Sequence, residues 1–403
     1  AVPDRGIFYT GSSGIWQTVW MEPVPERGYV ADLDTTTDVD TGTLALTVGT
    51  GGDASGLTVR AVVGNGSGAV ATAEGAAGQP LRVQVPDARL WSPDDPFLYD
   101  LDVTVLDGGQ EVDRVGSYVG MREIGTAPGA DGRLRITLNH EVRFLMATLD
   151  QGYWPDGIYT APTDEALRFD VAEAKGLGFD TIRKHVKVEP DRWYHAADTL
   201  GMLVWQDMPS MRTGGIPPPD ARAEFERQLH EIVDEHDSWT SVIGWVPFNE
   251  GWGEWSREDT GRIADSVAAQ DPTRLVNANS GVNCCASLGD SGRGDVIAWH
   301  AYTGPAQPTP DDHRVAIDGE HGGFGLEAPG HMWYEDGHGY QMAQDSAELT
   351  RLYVENQRAL IPIAQQNAIS GAVYTQITDV EHEVNGFLTY DRRVGKMDAD
   401  QVR

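Results

Sequence analysis

Two short apolar runs in this chain each stop at a glutamate beside glycine: residues 244–252, which carry Asn249 and Glu250, and residues 315–323, which carry Glu320. Both runs read as strands buried on both faces. Two carboxylates delivered by separate strand ends are what retaining hydrolysis of a glycosidic bond requires. One protonates the leaving oxygen, and the other attacks the anomeric carbon. A lone surface glutamate at a strand end is common, so the pairing carries the argument.

The elements that would position this pair begin near residue 135, where short buried strands alternate with amphipathic helices. Eight strands are expected, around 142–149, 180–186, 202–207, 241–249, 273–278, 295–301, 314–320 and 370–376. One helix is predicted after Pro162–Thr163, with Asp164 and Glu165 in its first turn and Leu167, Val171 and Ala174 on one stripe. A second follows Pro219–Asp220, with Phe225, Leu229, Ile232 and Val233. Eight such strands fit an α/β (β/α)8 TIM barrel. A doubly wound sheet would want a Gly-rich phosphate loop after its first strand, and none occurs.

Residues 1 to about 125 differ. Short alternating runs such as 42–48, 57–63, 81–85 and 99–105, separated by turn residues, suit an all-β sandwich. Residues 14–20 also read as a strand, with no earlier strand to pair with.

Barrel enzymes place their chemistry at the C-terminal strand ends. The polar residues there are Asp150, Gln151 and Trp154 after the first strand, Arg183, His185 and Lys187 after the second, and Gln206 and Asp207 after the third. Asn249, Glu250, Trp252 and Trp255 follow the fourth, His300 and Tyr302 the sixth, Glu320 the seventh, and Tyr374, Gln376 and Asp379 the eighth. Carboxylates, amides, imidazoles and ring faces together suit a neutral polyhydroxylated ligand. Trp205 and Trp245, inside strands, read as core. No nucleophile elbow surrounds Ser241 or Ser280.

Metal binding has weaker signals. His185, His300, His321 and His331 show no His-x-x-x-His spacing, and sugar contacts are the better reading. Asp34, Asp38 and Asp40 lack an EF-hand pattern and read as a solvated loop. Cys284 and Cys285 are adjacent, form no scaffold and are expected to be two unreactive thiols.

The formal net charge of −32 argues against nucleic acid and anionic membranes as partners. No apolar run approaches the roughly 18 residues of a membrane span. The opening Ala1–Asp4 does not read as a signal peptide, and the compartment, cytoplasmic or secreted, stays open. The acidic surface, with four lysines only, suggests tolerance of high salt.

These residues carry a resemblance. Asn249–Trp252 resembles the acid/base signature of glycoside hydrolase family 2, the β-galactosidase, β-glucuronidase and β-mannosidase group. Residues 236–239 stand where its lead-in falls, and Glu320–Gly323 resembles its nucleophile motif. Residues 182–190 and 200–207 resemble its second and third barrel strands, and residues 90–99 and 120–124 its immunoglobulin-like domain. The resemblance implies three parts: 1–24, the end of a jelly-roll domain; 25–126, an immunoglobulin-like sandwich; and 127–403, the catalytic barrel. It departs in lacking most of the jelly roll, in Tyr374 where many relatives carry tryptophan, and in Arg183–His185 for the usual second-strand motif.

Position by position, the resemblance implies Glu250 as general acid then base and Glu320 as nucleophile. Glu250 is expected protonated, its pKa raised by burial and by Glu320. Arg183 and Tyr302 are expected to keep Glu320 ionised, and Asn249 to bind the sugar 2-hydroxyl. Further substrate contacts are expected from Arg183, His185, Asp150, Trp154, Asp207, Trp252, His300, Tyr302 and Gln376. No organic cofactor is implied, though the family leaves room for a supporting Mg²⁺ or Na⁺. The implied partner is a carbohydrate substrate, with a homo-oligomer compatible. A retaining exo-β-glycosidase acting on β-galactosides is the first expectation. The alternatives are β-glucuronidase, β-mannosidase or arabinosidase activity, an internally cutting clan relative such as a mannanase, or a carbohydrate-binding relative without turnover.

Overall fold

The structure, a computed structural model, describes residue 7, residues 9–211 and residues 215–403. The segment 1–24 therefore lies partly outside the described residues.

Alternation builds the first unit. In Thr58–Gly64, Val59, Ala61 and Val63 are buried while Arg60 faces solvent. This strand belongs to an antiparallel sheet of four, with Ala69–Ala76 on one side and Tyr99–Asp107 and Gln110–Val119 on the other. A sheet of three, Tyr29–Asp38, Thr43–Gly51 and Leu81–Gln84, packs over it. Leu44, Leu46, Val48, Val83, Leu101 and Val103 fill the space between them. The outcome is an all-β sandwich.

The second unit is a single parallel sheet whose strands are continuous apolar runs because both faces are covered. Its members are β1 (Leu145–Asp150), β2 (Thr181–Lys184), β3 (Leu203–Asp207), β4 (Val242–Val246), β5 (Leu275–Val276), β6 (Val296–Tyr302), β7 (Val315–Gly322) and β8 (Ile369–Thr375). They pair in the order β5-β4-β3-β2-β1-β8-β7-β6. The ends of that row meet through connecting backbone: Asp295 donates its N–H to Val276 O at 2.7 Å, and Gly281 to Ala298 O at 3.0 Å. The sheet is thus a nearly closed barrel.

Helices α1 (Asp164–Gly176), α2 (Asp191–Leu200), α3 (Pro219–His236), α4 (Arg257–Gln270) and α5 (Ser346–Asn367) surround it. Thr163 caps α1 by accepting from Ala166 N, and Leu167, Val171 and Ala174 are its buried stripe, as the spacing predicts. Pro219 stands inside the first turn of α3, which buries Phe225, Leu229 and Val233. No helix among the described residues is long and apolar enough to cross a membrane.

A small antiparallel sheet, Ile124–Pro128, Leu134–Leu138 and Glu141–Val142, packs Ile136 and Leu138 with Leu145, Leu203, Ile243 and Val315 of the barrel. Sandwich and barrel are also joined directly. Buried Trp91 donates Nε1–H to Asp198 O at 2.9 Å, and buried Arg122 donates Nε–H to Thr240 O at 2.9 Å.

One expected strand does not form. Residues 14–20 are irregular, with Ile15, Val19 and Trp20 exposed. Alternation alone makes no strand without a neighbour to take its backbone hydrogen bonds. The segment instead crosses the barrel mouth: Thr10 N–H reaches the Glu381 carboxylate at 3.0 Å, and Thr160 Oγ1 donates to Trp16 O at 3.0 Å.

Candidate active site

The last turn of β7 delivers Glu320 into the barrel mouth, where it is buried. Arg183 Nη1, from β2, donates to its Oε1 at 2.9 Å, and Tyr302 donates its hydroxyl to Oε2. Tyr302 is fixed in turn by stacking on Tyr340, ring centroids 3.5 Å apart. Burial and then the Glu320 charge push the Tyr302 phenol well above its ordinary range, so it stays a donor. Arg183 also holds Asp207 with two hydrogen bonds, at 2.8 and 3.1 Å, and Asn249 Oδ1 at 2.7 Å. One guanidinium fork thereby fixes residues from three other strand ends.

Glu250 stands on a sharp turn just past β4. Its φ is +51° and that of Gly251 is +74°. A Cβ on Gly251 would meet Ala286 and Ser287 backbone at 2.3–2.4 Å, so only glycine fits. The Glu250 N–H donates to Ser280 O at 2.7 Å. Left-handed backbone at a bulky residue is held only where its surroundings enforce it, and such strain clusters at functional sites.

Between the two carboxylates lies His300. A register shift between Trp299 and His300 sets His300 opposite Glu320 in the β6–β7 pairing. Its Nδ1 is 2.9 Å from Glu250 Oε1 and 3.7 Å from Glu320 Oε1, and its Nε2 is 2.8 Å from Ser280 Oγ. The two Oε1 atoms therefore lie no more than about 6.6 Å apart, a ceiling that admits the ~5–5.5 Å carboxyl separation of retaining glycosidases.

The expected pKa of Glu250 is corrected by this contact. Burial does push it up, but the hydrogen bond and charge of His300, with Cys285 and His185, outweigh burial and hold Glu250 at about 2. The imidazole facing Glu250 is fifty residues away in sequence.

The cleft above these groups is lined by His185, Asn249, Glu250, Trp252, Tyr302 and Glu320, all anticipated from the sequence. Asn249 Nδ2 is buried with no hydrogen-bond partner among the described residues. A buried unsatisfied donor costs on the order of 1–3 kcal/mol. The remaining anticipated contacts fall elsewhere. Arg183, Asp207 and His300 lie behind the lining: Asp207 accepts from Arg183 and sits 3.0 Å from His185 Nδ1, so it orients rather than contacts. Asp150 is withdrawn by Lys184 Nζ at 2.8 Å and accepts Gly152 N–H. Trp154 is buried beneath Arg392, whose guanidinium carbon is 3.8 Å from its ring. Gln376 is buried in an amide network with Gln151 and Asn385.

Residues 28–122 match the family model described as Glycosyl hydrolases family 2. Over 270 residues the chain is 24% identical to the β-glucuronidase of Bacteroides fragilis, covering 60% of this chain and 34% of that protein. The chain is thus similar to proteins of glycosyl hydrolase family 2. It is also 24% identical over 287 residues to the β-galactosidase of Streptococcus thermophilus, covering 66% of this chain and 27% of that one. The chain thus spans about a third or less of the length of these curated relatives. The solved structure of a β-D-glucuronidase from Dictyoglomus thermophilum superimposes with a TM-score of 0.72 at 15% identity, covering 93% of this chain and 68% of that one. At that identity the likeness establishes the fold.

The cleft also has lining residues that the sequence pattern did not single out. Glu383, Tyr340 and Thr375 line the cleft, and so does Gln151, which was only one of several polar strand-end residues. Glu383 accepts from Gln151 at 3.1 Å and from the Tyr9 hydroxyl. Burial and the Glu320 charge push its carboxyl up, against the pull of Tyr9 and Gln151. It sits in an irregular stretch after β8 where no periodicity marks it.

Proposed function

We propose that this protein is a retaining exo-β-glycosidase that removes a terminal neutral sugar, with β-galactosides as the first substrate class. The observation carrying this reading is the single His300 nitrogen that touches both Glu250 and Glu320 in one small cleft. Glu320, held by Arg183 and Tyr302, attacks the anomeric carbon from one side. Glu250 gives the leaving oxygen the proton it shares with His300, and then takes one from the incoming water. The free Nδ2 of Asn249 donates to the sugar 2-hydroxyl, a contact that strengthens in the transition state. The chemistry calls for no organic cofactor.

A cleft in which both carboxylates are buried suits the end of a sugar chain better than its middle, which favours end-acting over internal cleavage. Among the described residues its charged lining is Glu250, Glu320 and Glu383, with no lysine or arginine. Lys187 is buried against Glu189 at 3.1 Å. Three carboxylates disfavour a uronate. The likeness to proteins named β-glucuronidase is the argument for the second reading, a β-glucuronidase.

A panel of nitrophenyl β-galactoside, glucuronide, mannoside and arabinofuranoside tests both. Highest kcat/KM on the galactoside or another neutral sugar supports the first reading. Preference for the glucuronide replaces it with the second, and hydrolysis of none of them ends both.

A further inference from the structure

Among the described residues, one group of three potential metal donors converges: Glu250, Cys284 and His300, with ligand atoms all within 4.8 Å of one another. The loop after residue 281 brings Cys284 Sγ to 3.5 Å from Glu250 Oε1, while His300 Nδ1 lies 2.9 Å from the same oxygen. Cys285 Sγ stands 2.6 Å from Cys284 Sγ, and neither cysteine is in a disulfide. Sequence spacing gave no hint of this, because the donors come from three separate segments.

We infer that Glu250, Cys284 and His300 form a site for a thiophilic divalent cation, such as Zn²⁺ or Cd²⁺, with Cys285 as the neighbouring fourth donor. Ligand atoms around such an ion stand about 3.3–3.7 Å apart, given metal–sulfur and metal–nitrogen bonds near 2.3 and 2.0–2.1 Å. The observed 3.5 Å between Cys284 and Glu250 falls in that range and the 2.9 Å between His300 and Glu250 is a few tenths of an ångström short of it, so the site closes with small side-chain shifts. The outer contact is also right. Ser280 Oγ, 2.8 Å from His300 Nε2, accepts that nitrogen's proton and leaves the Nδ1 lone pair for the metal. Thiolate and imidazole together select soft and borderline cations over Mg²⁺ or Ca²⁺.

On binding, the Cys284 thiol releases its proton and the proton shared by His300 Nδ1 and Glu250 is released with it, both to solvent, and the metal takes the sulfur, the Nδ1 lone pair and one lone pair of Glu250 Oε1. The carboxylate then cannot carry a proton to a leaving group. Resting on the function proposed above, occupancy switches turnover off reversibly, and a chelator restores it.

The test is a titration of the full chain with CdCl₂, followed by the ultraviolet thiolate-to-cadmium charge-transfer band, which needs no turnover. Saturation at one ion per chain is expected, with binding weakened at least tenfold in Cys284→Ser, Cys284→Ala and His300→Asn and the band at saturation about halved in the two Cys284 variants, where Cys285 is the one remaining thiolate. Circular dichroism of each variant checks its fold. In parallel, aryl glycoside hydrolysis should fall with the same midpoint, each protein being compared with its own metal-free rate. Binding as tight in folded Cys284→Ser and Cys284→Ala as in the parent, or no band on titration, overturns the site. If the band behaves as expected but no glycoside is cut, the functional reading fails and the metal site stands.

Discussion

His300 Nδ1 lies 2.9 Å from Glu250 Oε1, and this one contact sets the ionisation of the proposed acid. Burial pushes Glu250 up, and His300, with Cys285 and His185, together outweigh it and hold the carboxyl at about 2 against an ordinary 4.5. In His300→Asn, burial is opposed only by Cys285 and His185, and the Glu250 carboxyl should titrate well above its parent value. Carboxyl-selective NMR would follow it directly. The linkage has a definite sign: a depressed folded pKa contributes stability above about 4.5 that is lost as pH falls towards 2. The variant should lack that contribution, so the stability gap between parent and variant should narrow on acidification across that window. A gap that does not change with pH would contradict this account.

Glu250→Ala should lower turnover by roughly 10²–10⁴, the usual span of general acid–base catalysis. Glu320→Ala should be at least as damaging, because it removes the nucleophile. Azide separates the roles. It should rescue Glu320→Ala with an inverted glycosyl azide and Glu250→Ala with a retained one, as read by NMR of the products. Undiminished activity in Glu320→Gln would remove the mechanism.

Asn249 offers a double-mutant cycle. If its Nδ2 meets the 2-hydroxyl, Asn249→Ala and a 2-deoxy substrate each remove the same contact, and their losses in kcat/KM should not add. The expected loss for either alone is on the order of several kcal/mol. Additive losses would place the 2-hydroxyl elsewhere.

Asp237, just past α3, faces Asp34 of the sandwich. Burial first, and the charge of Asp34, push Asp237 to about 7, while burial and Asp32 push Asp34 to about 6. A folded pKa above the unfolded 3.8 means the folded state binds the proton more tightly. Stability therefore carries no penalty below about 3.8 and falls as pH rises through 7. Asp237→Asn should raise the melting temperature at pH 8 and change it little at pH 4. Discounted for partial exposure, the gain is on the order of 1–2 kcal/mol. Calorimetry at the two pH values checks it.

The eight barrel strands were legible because a strand buried on both faces must be a continuous apolar run, and the polar residue ending it must face the mouth. Glu250, Glu320, Asn249 and Tyr302 followed from that rule alone. Residues 14–20 misled because alternation is a local signal and pairing is not. Asp150 and Trp154 were read as substrate contacts because nothing local reveals that Lys184 and Arg392 occupy them. Glu383 escaped because it hangs from a stretch without periodicity. The depressed pKa of Glu250 escaped for a related reason: its partner is placed by a one-residue register shift in β6, which no residue type announces.

The row of barrel strands has its ends at β5 and β6, joined by a few backbone hydrogen bonds rather than a ladder. Glu250 is tied to Ser280 on one bank of that joint, and His300 belongs to the other. The contact between Glu250 and His300 therefore bridges the seam that closes the cylinder. Thermal breathing at residues 276–298 would part donor from acceptor well before the molecule melts, so heat should silence the protein first by unzipping this line.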